Sequence, residues 1–389
     1  MNGQSLKKLV ESHGPMEVAQ RLVPLFWSRD PAVRVDPTAY SIREAWEAMI
    51  GPVSALPSAR RNGFHSMPLI EAQQSSAFAL LTGNVIASQV AAAYDEQPSV
   101  LDKMVDSVSS KSRTELYVGI QAAGGIQTVP EGQEYPDTGF TDRGVMGPEP
   151  DKRGAKIEIT EETVIFDQTG QILQRAKMIG KALKNDREKF GIRAIEDLTG
   201  YNSYYPVVAG TPTQTALYRT AAAGAEWYHR TVNSAAITLV DWTDIDEALA
   251  LFSAMTDENG DPISVVVNQM LVPRALIATA LRIVGATSLE YAGAHIAGTQ
   301  PEVTTVSPNI LKLLAEVGGM PSPLTSPFLS SSTTWYIGDF KSQFVEQEIL
   351  PLQVVELPGD NRRDVLLGYR ARRKSRVYAT DDKFVLKLT

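Results

Sequence analysis

Residues 130–200 decide how this chain is read. Pro130 to Gly154 runs PEGQEYPDTGFTDRGVMGPEPDKRG, and Ala155 to Gly170 runs AKIEITEETVIFDQTG. The stretch QILQRAKMIGKALKNDREKFGIRAIEDLTG follows, to Gly200. The first segment is dense in turn formers: Pro130, Gly132, Pro136, Gly139, Gly144, Gly147, Pro148 and Pro150. Charges sit among them, and apolar side chains are few. Such a segment cannot bury much surface by itself, and a loop this long is usually a lid, a binding loop or a linker. The second segment predicts a strand over Lys156 to Phe166, with Ile157, Ile159, Glu161, Thr163 and Ile165 on one face. The third predicts a helix from about Gly170 to Gly200. Ile172, Ala176, Ile179, Leu183, Phe190, Ala194 and Leu198 form one narrow apolar stripe. Gln171, Gln174, Lys177, Lys181, Lys184, Asp186, Glu188 and Arg193 fall on faces predicted to be solvated. At about 1.5 Å per residue this helix is on the order of 45 Å long.

Outward from this centre, the first third reads as helices broken by extended connectors. Ser5 to Val23 has helical spacing interrupted at Gly14-Pro15. Ser66 is a good N-cap with Pro68 in the first turn, and the helix it starts runs towards Tyr94 with Phe78, Leu81, Val85 and Val90 as core positions. Two readings stand for this region: a small helical domain, or an arm that packs on neighbouring subunits. The last half alternates helix and strand. Asp244 starts a helix with Ile245, Leu249 and Phe252 on one side, and Ile263 to Val267 is a β-branched strand. Pro273 opens a helix over Arg274 to Val284, and another lies around Asn309 to Val317. Thr333 to Ile337, Leu352 to Leu357, Val365 to Tyr369 and Phe384 to Leu388 read as strands. The class is α+β.

The chain has 389 residues, 43% hydrophobic, no cysteine and a net charge of -8. A core of good size is affordable, and disulfides, thiolate metal sites and cysteine nucleophiles are excluded. Met1 to Val10 has no apolar run resembling a secretory signal, and no run approaches the roughly 18 to 20 apolar residues of a membrane span. Acidic balance argues against nucleic-acid binding over the whole surface. A basic concentration at Arg362, Arg363, Arg370, Arg372, Arg373, Lys374 and Arg376 is either a strand pair making ion pairs or a contact for nucleic acid or another subunit's acidic patch.

Chemistry is sparse. His13, His65, His229 and His295 stand singly, without metal-ligand spacing. There is no Gly-x-Ser-x-Gly elbow. Asp257 to Asp261 imitates a calcium loop, but Pro262 and Asn268 stand where Gly and Glu are needed. Asp137-Thr138-Gly139 matches the aspartic-protease triplet, yet follows a polar segment and has no second copy. No catalytic residue, cofactor or metal is expected.

The order of parts resembles the major capsid protein of tailed bacteriophages, the Hong Kong ninety-seven fold, and in particular the branch related to the Mu-like major head subunit. The likeness is carried by FALLTGNVIASQVAAAYDEQP from Phe78, VPEGQEYPD from Val129 and KRGAKIEITEETVIFDQTG from Lys152. WTDIDEALALFSAMTDENGDPISVVVNQMLVPRAL from Trp242, Trp335 to Asp339 and the closing strands add to it. The resemblance implies an N-terminal helical arm (1–115) and a peripheral domain with a spine helix (116–127 and 156–200). It also implies an extended loop (128–155), an axial domain (201–352) and return strands of the peripheral domain (353–389). It implies a shell subunit forming hexamers and pentamers around double-stranded DNA, within a virion assembled in the host bacterial cytoplasm. Portal, scaffolding or decoration proteins are implied partners, and no membrane is. Glu131, Glu134, Asp142, Arg143, Lys152 and Arg153 are the implied inter-subunit contacts of the loop. Lys152 or Lys156 with Asn361, where the family's position before Val365 holds Asp364, would be the remnants of a cross-link. The N-terminus is expected to be retained. Alternatives are a nanocompartment shell protein of the same fold, or a carboxylate-dependent hydrolase using the 130–154 loop.

Overall fold

The computed structural model describes residues 3–28, 30, 32–36, 39–52, 69–118, 129, 131, 144–166, 169–208, 210–221, 232–256, 262–286, 288–292, 304–308, 320–357 and 365–389. The expected helix starts at Ser66 and Asn309, and the turn at Asn259-Gly260, lie outside these residues. So do the protease-like triplet, the calcium-like loop, and Asn361 to Asp364. The chain forms two compact units: 1–98, 151–187 and 350–374 make unit 1; 99–150, 188–349 and 375–389 make unit 2.

Unit 1 is built on helices. Helix α1 (Gly3–His13) and helix α2 (Pro15–Phe26) are separated at Gly14, whose φ of 83° breaks the helix while Pro15 begins the next. Helix α3 (Ile42–Met49) starts with a reciprocal cap: Ser41 accepts from the Glu44 amide, and Glu44 accepts from the Ser41 amide. Helix α4 (Leu69–Glu96) packs against them. Leu6, Val18, Leu22, Phe26, Ile42, Trp46 and Met49 join Phe78, Leu81, Val85 and Val90 in one core. The N-terminal residues therefore share a core inside their own chain. Helix Ser76–Glu96 is, against expectation, long and apolar enough to cross a membrane. Its Ala77, Phe78, Leu81, Ile86 and Val90 are instead buried in this core.

Strand β4 spans Asp151–Thr160, starting earlier and ending sooner than the expected 156–166. Thr160 accepts from the Thr163 amide and caps a short helix, α6 (Glu161–Ile165), so only Ile157 and Ile159 of the anticipated face are strand residues in the core. The long helix α7 spans Thr169–Ile195, about 40 Å at the usual rise. Ile172, Ala176 and Leu183 enter the unit 1 core, and Ile192, Ala194 and Ile195 enter a core of unit 2. Its polar faces are less solvated than expected. Lys184 and Glu188 are buried, and the Lys184 ammonium lies 5.0 Å from the centre of the Tyr94 ring. Glycine at 180 allows this closeness: a Cβ there would run into the Val90 carbonyl of helix α4.

Unit 2 begins with a helical turn, α5 (Leu101–Met104), and strand β1 (Asp106–Ser109). Strand β1 pairs in parallel with the start of β13 (Phe344–Leu357), Asp106 opposite Val345. Strand β14 (Val365–Ala379) lies between β13 and β4. Helix α8 (Trp242–Ser253) is capped by Asp241, with Asp244 reaching back to the Asp241 amide. Asp244 thus lies inside the helix rather than starting it. The expected strand 263–267 does not form; the strand is β8 (Gln269–Leu271). The helix after Pro273 is delayed to α9 (Ile277–Gly285), because a turn closed by the Leu276 amide on Pro273 precedes it. Strands β11 (Ser322–Leu324), β8, β12 (Trp335–Gly338), β15 (Val385–Leu388) and β7 (Ser234–Ala235) form a five-stranded sheet in that order. Trp335 stands opposite Leu388, and Lys387 opposite Ser234. One face of this sheet buries Trp335, Ile337, Leu386 and Leu388 with Ile245, Phe252 and Ile283 of the helices.

Candidate assembly site

The described residues on either side of 119–143 form a short antiparallel pair in unit 2. Strand β2 (Leu116–Val118) faces strand β3 (Gly144–Met146), Leu116 opposite Met146 and Val118 opposite Gly144. Burial of Val145 roots the pair, and the Met146 amide donates to Tyr205 at 2.9 Å. Tyr117 meets Tyr378 edge-on at 5.6 Å, and Arg113 pairs with Glu149 at 2.6 Å. Burial raises both phenols above their ordinary range, with Tyr378 the more strongly raised, so both remain neutral. By contact, 116–118 and 144–150 belong with unit 2.

Of the expected contact residues, Glu131 is exposed and Lys152 is exposed on β4. Arg153, on the alternate face of β4, donates to Asp186 of helix α7 at 3.1 and 3.4 Å within its own chain. Glu134, Asp142 and Arg143 lie outside the described residues. Lys156 pairs with Glu158 at 2.6 Å.

The basic strand β14 splits its charges by alternation. Tyr369, Ala371, Arg373, Ser375 and Val377 are buried, while Arg370, Arg372, Lys374 and Arg376 are half-buried on the opposite face. The Nε atoms of Arg370 and Arg372 have no hydrogen-bond partner among the described residues. In unit 2, Ser375 donates to buried Glu346 at 2.8 Å. Arg373 of the basic run is thus buried while its neighbours lie half-buried along the opposite face, a division that alternate spacing could have revealed.

A second polar cluster closes the end of helix α7. Glu196 is 1% exposed and accepts from the Ser330 hydroxyl and amide at 2.8 and 3.0 Å. Asp197 adopts φ 53° and accepts from the Leu217 and Ser203 amides at 2.7 and 3.1 Å. Burial raises both carboxyls, against the lowering effect of these donors. Sequence reasoning missed this pair, because its partners are more than a dozen residues away along the chain for Glu196 and partly so for Asp197. Among the described residues no group of three or more His, Asp or Glu side chains is arranged to hold a metal. The geometry offers contact surfaces and structural carboxylates.

The sequence profile of the family described as phage capsid protein matches residues 143–388. That span holds the spine helix, the five-stranded sheet and the closing strands. This chain belongs to the phage capsid protein family. The match does not single out the Mu-like branch. No curated protein matches the chain. Among solved structures, it is similar to a virus-like particle from Pyrococcus furiosus: 12% identity, TM-score 0.43, covering 78% of this chain and 97% of the other. It is similar to the capsid of an empty GTA particle: 12% identity, TM-score 0.45, covering 75% and 89%. The holo-SrpI encapsulin complex from Synechococcus elongatus PCC 7942 is matched at 11% identity and TM-score 0.41, covering 75% and 87%.

Proposed function

We propose that this chain is the major capsid protein of a tailed bacteriophage, with the Hong Kong ninety-seven type of fold. It assembles as hexamers and pentamers into an icosahedral shell that encloses double-stranded DNA in the virion. The family match over 143–388 carries this reading. The sequence from Pro130 to Gly154, rich in turn formers and poor in apolar groups, supports it, because such a segment gains from a neighbour's surface what it cannot bury alone. Glu131, Glu134, Asp142, Arg143 and Lys152 contribute to that contact. Arg153 contributes by orienting β4 through Asp186. Assembly takes place in the host cytoplasm, with portal, scaffolding or decoration proteins as further partners. The chain is a structural protein with no catalytic step.

Electron microscopy and sedimentation of the purified chain test this. Closed shells or ring-shaped capsomers are expected; a uniform monomer at assembly concentrations overturns the reading. Nuclease-protected duplex DNA inside particles from infected cells distinguishes a virion from a compartment that holds protein cargo.

A further inference from the structure

The first half of helix α7 carries positive charge on its outer side and no negative charge. Ile172, Ala176 and Leu183 turn into the unit 1 core. The exposed polar side chains of Thr169 to Asn185 are Gln171, Gln174, Arg175, Lys177, Lys181 and Asn185. At about 100° and 1.5 Å per residue they cover about 160° of the helix circumference over about 21 Å of its length. From Thr169 to Asn185 the sequence has no aspartate or glutamate, and the first acid, Asp186, is engaged by Arg153. Among the described residues, the one ion pair on this stripe joins Lys181 to Glu96 at 3.8 Å, and the Lys181 side chain stays 45% exposed. Every polar side chain here can donate a hydrogen bond, and none is a carboxylate. The stripe stands in a chain of net charge -8, whose surface as a whole repels polyanions.

A protein segment laid along a helix wants apolar anchors at i, i+3, i+4 and i+7 spacing. Met178 and Ala182 are the apolar side chains on the stripe, too few for that mode. A duplex presents about one charge per 1.7 Å of axis, so a length of about 21 Å carries about a dozen phosphates. Lysine and arginine neutralise phosphates, and the amides of glutamine and asparagine donate to phosphate and sugar oxygens without reading sequence. We infer that the outer face of α7, through Arg175, Lys177 and Lys181, binds the phosphate backbone of duplex DNA without regard to sequence. This rests on the shell-subunit reading and deepens it by naming the surface that meets the packaged DNA. Three phosphate contacts make a salt-sensitive grip: a slope of log K on log salt of about -2.7, or about a 40-fold loss between 50 and 200 mM salt. A grip of that kind lets the duplex slide, which the packing and the release of a genome both require.

The test uses the full chain, unassembled, with a short duplex of arbitrary sequence as the probe. Fluorescence anisotropy follows binding from about 50 to 200 mM salt. Arg175→Gln/Lys177→Gln/Lys181→Gln removes the charge of the stripe. Lys7→Gln/Lys8→Gln/Lys111→Gln removes the same charge from exposed positions elsewhere. Wild type and the second variant should bind with the full salt slope. The first should bind about tenfold more weakly or worse at the low-salt end, with most of the slope gone. Binding by the first variant equal to wild type, equal loss in the two variants, or no binding by wild type overturns the inference. Formaldehyde cross-linking of DNA-filled wild-type particles needs no substitution and keeps the test valid if a variant fails to fold. Peptides holding Lys177 and Lys181 should be attached to DNA, and their absence from the cross-linked set overturns the inference. A polyglutamate chain that binds the stripe while the duplex does not reassigns it to an acidic protein and also overturns it. Shells are scored in parallel by electron microscopy. A wild-type chain that forms no shells overturns the shell-subunit reading itself, whereas a chain that forms shells but binds DNA without its α7 cations overturns this inference alone.

Discussion

Tyr369 donates its hydroxyl to the Ala79 carbonyl at 2.9 Å, fixing strand β14 to helix α4 across the core of unit 1. The ring lies over Gly83, where an added Cβ would come within 2.7 Å of the Tyr369 Cε1. Gly83→Val should therefore displace the ring and cost about 1–3 kcal/mol through overpacking. Tyr369→Phe should cost about 1 kcal/mol, for the lost hydrogen bond alone. Urea unfolding of the two variants checks this order.

Glu188 is the clearest case of a spine-helix charge serving its own chain. Its carboxylate accepts from the Ser99 hydroxyl at 2.7 Å and from the Val100 and Leu101 amides at 3.1 and 3.3 Å. Glu188→Ala leaves these donors unpaired in a buried place. The expected loss is about 2–3 kcal/mol, since hydrogen bonds to a charged group exceed neutral ones. Lys177→Ala, on an exposed position of the same helix, should change stability by less than about 0.5 kcal/mol.

The helix α1 contribution predicts what N-terminal loss would do. Leu6 is fully buried among the unit 1 helices. Leu6→Ala should cost about 2–4 kcal/mol, the usual range for a large-to-small core change. Chains recovered from particles should retain the segment through Phe26, whose removal would open the core. Mass spectrometry of particle protein reads this directly.

Acid should affect the Glu196–Asp197 pair in an unusual direction. Their folded-state values are raised, chiefly by burial, so the folded chain holds these protons more tightly than the unfolded chain. Their contribution to stability is greatest below the unfolded carboxyl values and declines as pH rises through the raised folded ones. Glu196→Gln removes one such group. The stability of this variant relative to wild type should therefore be higher at pH 7 than at pH 5. Denaturant titrations at both values test the sign, and a variant whose stability relative to wild type is higher at pH 5 than at pH 7 contradicts it.

Local chemistry made the helices readable. Gly14-Pro15 marks a helix break whatever surrounds it, and Phe78, Leu81, Val85 and Val90 show their spacing without help from partners. The capping threonine at 160 was hidden because alternation from Lys156 continues through Thr163 and Ile165, although the chain has already turned into a helix. The β-branched residues 263–267 have strand propensity, yet pairing falls on Gln269–Leu271, which meets β12 and β11. Propensity yields to available partners. Lys184 and Glu188 resembled solvated residues because Tyr94 and Ser99 lie far away in sequence. In β14, alternate spacing contains the division of the basic residues between two faces, whereas the direction of Arg153 depends on Asp186 of helix α7.

Strand β15 lies inside its sheet, between β12 and β7, and is the last of the five to leave the ribosome. A chain stopped before Val385 would keep β11, β8 and β12 together but leave a gap between β12 and β7, whose facing edges would be open. Edges of that kind recruit whatever strand is nearby. Without Val385–Leu388 nothing joins β12 to β7, so these four residues close the sheet that the rest of the chain leaves open.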